Sequence, residues 1–273
     1  DCDDRVELAC HWWLPDAGEP TRVLAILHGI GLEGNPYHRI GGPLGEAGMA
    51  AYSLDLRGHG ESGGTRGDMG KNRRVLADIG TFLSVVQDRH PAAPVYLFGE
   101  SMGGLFALAF AAAYPERLGG LIVAAPALRL RPRLLLSRDS LLLPCYLVFA
   151  PRRPFLSLND ERLDISCRDQ WFRDYRRTDT RPLPALSVCY LWSICKFMLF
   201  WCVRYARRLR VPTLIAQGDR DAIMHPSGAR RLFDAIKVTD KELLALGDAW
   251  HTLPWDHDTP VMVDAMIRWL ARH

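Results

Sequence analysis

The sequence predicts an α/β protein with a mostly parallel central sheet flanked by helices. Short apolar runs recur along the chain, and helical patterns lie between several of them. The length allows one large domain of this kind, because 273 residues with 48% hydrophobic content can bury a sizeable core.

The strands are predicted from apolar runs of strand length. Residues 5–13 alternate like a half-exposed first strand, and six further runs are typical of buried strands: residues 22–29, 50–56, 94–99, 118–125, 211–218 and 241–247. Apolar residues from Val75 to Val86 repeat at the spacing of one helix face, which predicts a helix there. Residues 261–270 predict a closing helix. Strands that alternate with helices pair in parallel, because crossover connections join them.

One long segment interrupts this alternation. Residues 126–210 show no clean strand pattern, and within them residues 185–203 are apolar enough to approach the length of a membrane-spanning helix. Lys196 would be costly inside a bilayer, and a span would separate strands that must share one sheet. We therefore expect an inserted helical cap with an apolar underside at residues 127–205, on a core formed by residues 1–126 and 206–273.

Charge is distributed unevenly along the chain. Residues 126–210 contain 17 Lys and Arg against 7 Asp and Glu, although the whole chain carries a net charge of only +3. Such a segment is compatible with peripheral contact between the cap and anionic lipid. A general preference for arginine in this chain explains the same excess without any partner. We predict no nucleic-acid partner, and the sequence does not indicate an oligomeric state.

The cysteines indicate no metal site and no disulfide framework. Seven are present, without CxxC or other metal-ligand spacing: Cys2, Cys10, Cys145, Cys167, Cys189, Cys195 and Cys202. Their odd number favours reduced thiols and a cytoplasmic location, with membrane association as an alternative. Because the chain begins at Asp1 rather than Met, the possibility of a removed leader stays open.

The motif Gly-Glu-Ser-Met-Gly at residues 99–103 carries the strongest functional signal. An apolar strand precedes it and a helix-forming run follows it, which is the context in which G-x-S-x-G forms a sharp turn that exposes its serine hydroxyl. Gly99 and Gly103 are explained by crowding between strand and helix at this turn. We predict Ser101 as a nucleophile and the Met102 N–H as a donor to an oxyanion, the alternative being a purely structural turn.

A serine nucleophile requires a base that an acid orients. Asp219 and Asp221 follow the predicted strand at 211–218, and His251 follows the next strand, where functional groups collect in parallel sheets. His257 and His273 are the weaker candidates for the base, since the first lies near the start of the last helix and the second ends the chain.

The second oxyanion donor is predicted in the loop His-Gly-Ile-Gly, residues 28–31. His28 and Gly29 end the apolar strand at 22–29, and the N–H of Ile30 is the natural donor. The alternative is that this segment is only a glycine-rich loop.

Five segments together resemble the α/β-hydrolase superfamily, most closely its branch of monoacylglycerol lipases and lysophospholipase-like enzymes: HGIG, LDLRGHGESGG, GESMGG, GDRD and DAWH. The resemblance covers residues 23–251 and the last helix but not the cap. It implies an α/β-hydrolase fold, a triad of Ser101, Asp221 and His251, and Ile30 and Met102 as oxyanion donors. Asp219 is the second choice for the acid.

The resemblance also implies supporting roles for several loop residues. Arg57, His59 and Ser62 belong to a loop that braces the oxyanion loop, and Asp55 is structural. The remaining members of the elbow and its supporting loops are His28, Gly29, Gly99, Glu100 and Gly103.

We expect these groups to perform acyl transfer on a carboxylic ester without a metal or organic cofactor. The apolar cap favours a monoacylglycerol or a similar lipid monoester, with lysophospholipid close behind. The alternatives are a short-chain carboxylesterase, an acyltransferase or aminopeptidase-like enzyme with the same triad, and a non-catalytic protein that uses the fold for binding.

Overall fold

The computed structural model describes residues 6–131, 138–157, 165–178, 183 and 185–273. These residues contain nine strands: β1 (Cys10–Trp13), β2 (Val23–Leu27), β3 (Ala50–Leu54), β4 (Val95–Glu100), β5 (Gly120–Ala124), β6 (Pro154–Ser157), β7 (Ala185–Ser187), β8 (Thr213–Gly218) and β9 (Lys241–Leu246). They also contain nine α-helices: α1 (His38–Glu46), α2 (Asn72–Arg89), α3 (Met102–Ala113), α4 (Arg138–Phe149), α5 (Gln170–Thr178), α6 (Val188–Lys196), α7 (Cys202–Ala206), α8 (Ser227–Ala235) and α9 (Thr259–Arg272).

Seven strands form one sheet in the order β1-β3-β2-β4-β5-β8-β9. β1 pairs antiparallel with β3, and every other neighbouring pair in this sheet is parallel. β2, β4 and β5 are buried along their whole length, as expected for strands with a covered surface on both faces. The predicted fold class, a mostly parallel sheet flanked by helices, is confirmed.

The structure differs from the predicted elements in several places. β1 covers only the last four residues of the predicted first strand. β3 ends at Leu54, and two residues later the N–H of Leu56 donates to the His28 ring over 3.0 Å. α1 was not predicted, since glycine and Pro43 inside it disfavour a helix. Gly41 is required there because a Cβ atom would lie 2.2 Å from the Trp13 ring.

The described residues between β5 and β8 add no strand to the seven-stranded sheet. They contain α4 to α7 and an antiparallel pair, β6 and β7, which the sequence did not predict. A π-helical turn at Phe197–Trp201 joins α6 to α7. We call residues 127–205 the inserted segment, and its predicted bounds stay a prediction. Residues 1–5, which include Cys2, and residues 132–137, 158–164, 179–182 and 184 of the inserted segment lie outside the described residues.

Apolar side chains of the inserted segment pack onto the rest of the protein. The Phe197 ring lies 5.6 Å from the Phe106 ring of α3, and the Phe172 ring of α5 stacks on Trp255 at 3.9 Å. Many apolar side chains of residues 185–203 are buried inside the protein, among them Leu186, Val188 and Phe197. Over the part of the chain that the structure describes, no helix combines the length and the hydrophobicity that crossing a bilayer requires.

Candidate active site

Ser101 occupies a sharp turn between β4 and α3. Its backbone is strained, with φ at +50° and ψ at −109°, a conformation that only a well-supported turn maintains. The flanking glycines permit the turn: a Cβ atom on Gly99 would lie 2.5 Å from the Gly103 carbonyl oxygen, and one on Gly103 would lie 2.2 Å from the Leu27 carbonyl oxygen. The glycines are thus explained by close backbone approach, as predicted from the motif.

Three loops bring Ser101, His251 and Asp221 into one hydrogen-bonded line. The Ser101 hydroxyl lies 3.0 Å from His251 Nε2, and His251 Nδ1 lies 2.8 Å from Asp221 Oδ2. All three side chains are buried. With Nδ1–H donating to the carboxylate, Nε2 is left unprotonated and can accept the serine proton, which is the arrangement that activates a nucleophile.

Asp221 accepts hydrogen bonds at both oxygens. Oδ1 accepts the N–H groups of Ile223 and Met224 at 2.8 and 2.7 Å. Oδ2 accepts from His251 and from Gln217 Nε2, the latter at 3.1 Å. Burial raises the pKa of Asp221, but the histidine and these N–H donors more than offset it, so the pKa lies below its usual value. The carboxylate is therefore charged at neutral pH.

The pKa of His251 is shifted in the opposite direction, upwards. Burial lowers the pKa of His251, whereas the Asp221 carboxylate, and to a smaller extent Glu100, raise it, and the net effect is a pKa above the ordinary 6.5. The site thus stabilises the imidazolium that forms when the serine proton is taken up.

We expect the pH profile of esterase activity to report this raised pKa. Protonated His251 cannot accept the serine proton, so kcat/KM should fall on the acid side with a midpoint above pH 6.5. Steady-state hydrolysis of a soluble p-nitrophenyl ester between pH 5 and 9, with the unfolded fraction measured at each pH, checks this. A flat profile across this range in folded protein would contradict the assignment of His251 as the base.

The loop that carries Ile30 is held through its backbone. His28 is fully buried and its pKa is lowered, mainly by burial, so the ring is neutral. Its Nδ1–H donates to the Gly29 carbonyl over 2.7 Å, while its Nε2 accepts the N–H of Leu56. The Gly29 carbonyl and the Ile30 N–H belong to one planar trans peptide and point in opposite directions. Fixing the carbonyl therefore also fixes the direction of the predicted oxyanion donor.

The Arg-Gly-His-Gly loop after β3 is held by buried polar contacts. Arg57 forms a bidentate pair with Asp78 of α2, with nitrogen–oxygen distances of 2.9 and 2.8 Å. Burial, followed by the nearby His28, lowers the pKa of His59 to about 3, so this histidine is neutral. Its Nδ1–H donates to the Arg57 carbonyl, and its Nε2 faces the Tyr190 hydroxyl of α6 at 3.2 Å. His59 therefore connects its own loop to α6 of the inserted segment.

The weaker sequence candidates lie away from this line of groups. Asp219 and His257 are exposed, and His273 pairs with Asp240 at the end of α9. Asp55 is buried and accepts the N–H groups of Gly34 and Glu61, which agrees with the structural role implied for it. Ser62 likewise donates to the Asp55 carbonyl.

The structure also places residues at the site that the sequence did not indicate. The Ser166 carbonyl of the inserted segment accepts the N–H groups of His251 and Thr252 at 3.2 and 3.1 Å. Arg168 pairs with Asp256, whose other oxygen accepts the Trp250 N–H. The loop bearing the histidine is thus held by a distant segment, a contact for which no local sequence pattern exists.

Metal ligation has no support in the geometry of the described residues. In those parts of the chain, no three His, Cys, Asp or Glu side chains converge as a metal ion would require. The described cysteines form no disulfide with one another.

The sequence matches a known protein family and is similar to several lipases. The chain matches the family described as serine aminopeptidase, S33, over residues 18–258. It is 26% identical over 265 residues to a monoacylglycerol lipase of Mycolicibacterium smegmatis, covering 96% of this chain and 91% of the relative. It is 27% identical over 247 residues to the monoglyceride lipase of Homo sapiens, covering 90% and 80% of the two chains.

A solved structure is similar over nearly the entire fold. A soluble variant of monoglyceride lipase from Saccharomyces cerevisiae, in complex with a substrate analog, matches with a TM-score of 0.86 and 21% identity. The match covers 99% of this chain and 93% of that chain. The likeness in fold therefore extends beyond the seven-stranded sheet to described parts of the inserted segment.

Proposed function

This chain belongs to the serine aminopeptidase S33 family of α/β-hydrolases, and we propose that it is a serine hydrolase that cleaves monoacylglycerols or similar lipid monoesters. The observation that carries the proposal is the line of hydrogen bonds from Ser101 through His251 to Asp221. The named lipase relatives support the substrate class, since this chain aligns with 91% and 80% of their lengths.

We propose a reaction in two acyl-transfer steps. His251 takes the proton from Ser101 while the hydroxyl oxygen attacks the ester carbonyl, and Asp221 stabilises the resulting imidazolium. The N–H groups of Ile30 and Met102 donate to the oxyanion, each contributing roughly 3 kcal/mol as such donors do elsewhere. The imidazolium then protonates the departing alcohol. Water attacks the acyl-enzyme with the same base, and the fatty acid leaves.

The inserted segment supports an apolar substrate. We propose that residues 127–205 act as a cap over the catalytic loops and present apolar surface to the acyl chain. An apolar cavity of about 470 Å³ lies between this segment and α8, lined among others by Leu130, Met198 and Leu232. Its lining does not include Ser101 or His251, so we propose it only as an apolar surface near the catalytic loops. Cavities of this volume accommodate small organic ligands.

A substrate series tests the function directly. Purified protein is assayed with monoacylglycerols, with p-nitrophenyl esters of short to long acyl chains, and with aminoacyl p-nitroanilides. Hydrolysis of monoacylglycerol and a preference for longer acyl chains are expected. A preference for the shortest ester would overturn the lipid assignment and leave a carboxylesterase, whereas cleavage of only the anilides would assign an aminopeptidase.

We propose further that the inserted segment contacts membranes peripherally. At the end of α4, Val148 and Phe149 are 72% and 85% exposed. Arg152 follows them with its side chain 87% exposed and its Nε 3.9 Å from Asp68 Oδ2. Leu199, in the π-helical turn, is 71% exposed. Exposed apolar side chains beside a cation are suited to the lipid–water interface.

Phe149→Ser should lower activity on monoacylglycerol in anionic vesicles by about threefold or more, because an apolar contact with lipid is lost. Hydrolysis of soluble p-nitrophenyl acetate should not change. Val85→Ser, which alters a 58% exposed residue on α2, is the matched control. Added salt should also lower the vesicle rate, and a salt-independent rate equal in all three proteins would reject membrane contact.

A further inference from the structure

Tyr37 connects the two loops that carry the predicted oxyanion donors. It lies in a short 3-10 turn before α1 and is fully buried, with its ring 5.1 Å from Trp255 and 6.4 Å from Phe98. Its hydroxyl accepts the Gly29 N–H over 3.1 Å and contacts Glu100 Oε2. Gly29 precedes Ile30 in the chain, and Glu100 precedes Ser101 and Met102.

The direction of each hydrogen bond follows from proton counting. The Gly29 N–H can only donate, so the hydroxyl accepts it, and the single phenol proton is donated to Glu100 Oε2. A carboxyl group offers an acceptor oxygen whether it is ionised or neutral. The chain from Gly29 through Tyr37 to Glu100 therefore has the same polarity when Glu100 is ionised and when it is protonated at Oε1.

We propose that Tyr37 is a positioning residue that sets the distance between the two halves of the oxyanion hole. His28 fixes the carbonyl of the Gly29–Ile30 peptide, and Tyr37 fixes the N–H of the preceding peptide. With both sides held, the Ile30 N–H keeps one orientation relative to the elbow. This inference rests on the proposed function, because it assigns Ile30 and Met102 to oxyanion binding.

Glu100 is suited to anchor this chain at the elbow. It is 1% exposed, and its Oε1 has no hydrogen-bond partner, so Tyr37 is its principal polar contact. Burial is the main influence that raises the pKa of Glu100, and Asp221 raises it as well. Tyr37, His251 and Arg176 lower it, and the net result is a pKa of about 7. A buried carboxyl group costs stability unless it is hydrogen-bonded. Here Glu100 accepts the Tyr37 hydroxyl, which in turn accepts the Gly29 N–H of the oxyanion loop.

Tyr37→Phe should lower kcat on p-nitrophenyl esters roughly 10- to 100-fold with little change in KM, because a displaced donor weakens only the transition state. The second-order rate of Ser101 labelling by a fluorophosphonate should fall by a similar factor. Tyr96→Phe is the matched control, since the Tyr96 hydroxyl is buried without a partner. It should retain the wild-type kcat and labelling rate.

Two Glu100 variants distinguish the loss of the acceptor oxygen for Tyr37 from the loss of the carboxylate charge. Glu100→Gln keeps an acceptor oxygen for Tyr37 and should retain most of the labelling rate, whereas Glu100→Leu removes the acceptor and should resemble Tyr37→Phe. Rates are normalised to folded protein from thermal unfolding curves. Wild-type rates per folded molecule in Tyr37→Phe, or in Glu100→Leu should Tyr37→Phe not fold, would overturn the proposal.

The labelling readout also separates this inference from the proposed function. Fluorophosphonate reacts with an activated serine and requires no particular ester. If the wild-type protein labels but does not cleave monoacylglycerol, the substrate assignment fails while the Tyr37 comparison still decides the positioning role. If the wild-type protein does not label, both fail.

Discussion

Ser101→Ala should reduce ester hydrolysis by about 10⁵- to 10⁶-fold and abolish fluorophosphonate labelling, the scale seen when a serine nucleophile is removed. The hydroxyl supplies the bond-forming oxygen, and no neighbouring group at this turn can replace it: Met102 and Glu100 flank the serine, and His251 is positioned to accept a proton. The side chain makes few other contacts, so the fold should be retained.

The control for this substitution is a second buried serine. Ser53 on β3 is fully buried and its hydroxyl has no hydrogen-bond partner, so Ser53→Ala removes the same atom from the core without touching the site. Activity and labelling of Ser53→Ala should match the wild type. Substantial hydrolysis or labelling by Ser101→Ala, in preparations free of wild-type protein, would show that another residue is the nucleophile.

The parts of the site that could be predicted from the sequence are those that local motifs encode. Ser101 lies in a motif whose glycines are needed for a turn, and Asp221 and His251 follow adjacent strands of a parallel sheet. Parallel strands place their following loops at one edge, so chain order alone brings these residues close together. Their catalytic roles stay predictions that substitution tests.

The residues that could not be predicted act across long sequence separations. Tyr37 contacts Glu100 because α1 lies against the sheet, and α1 itself has a glycine-rich sequence that disfavours a helix. Ser166 and Arg168 hold the His251 loop only because the inserted segment folds back over it. Such contacts depend on tertiary packing, which a single sequence without local periodicity does not reveal.

Asp221→Asn should lower kcat by about 10⁴-fold per folded molecule, because it imposes the wrong histidine tautomer. The N–H groups of Ile223 and Met224 require an oxygen at the Oδ1 position. The new amide nitrogen must then take the Oδ2 position, where it donates toward His251. The ring adapts by accepting at Nδ1 and carrying its proton at Nε2, so Nε2 can no longer accept the proton of Ser101.

Asp219→Asn is the matched control, because it makes the same chemical change at an exposed aspartate two residues away. It should leave kcat and KM unchanged. Reversed outcomes, with activity lost in Asp219→Asn and kept in Asp221→Asn, would contradict the geometry of this site. The forced tautomer also predicts that raising the pH does not restore Asp221→Asn, since deprotonating an imidazolium cannot move the remaining proton away from Nε2 while the amide donates to Nδ1.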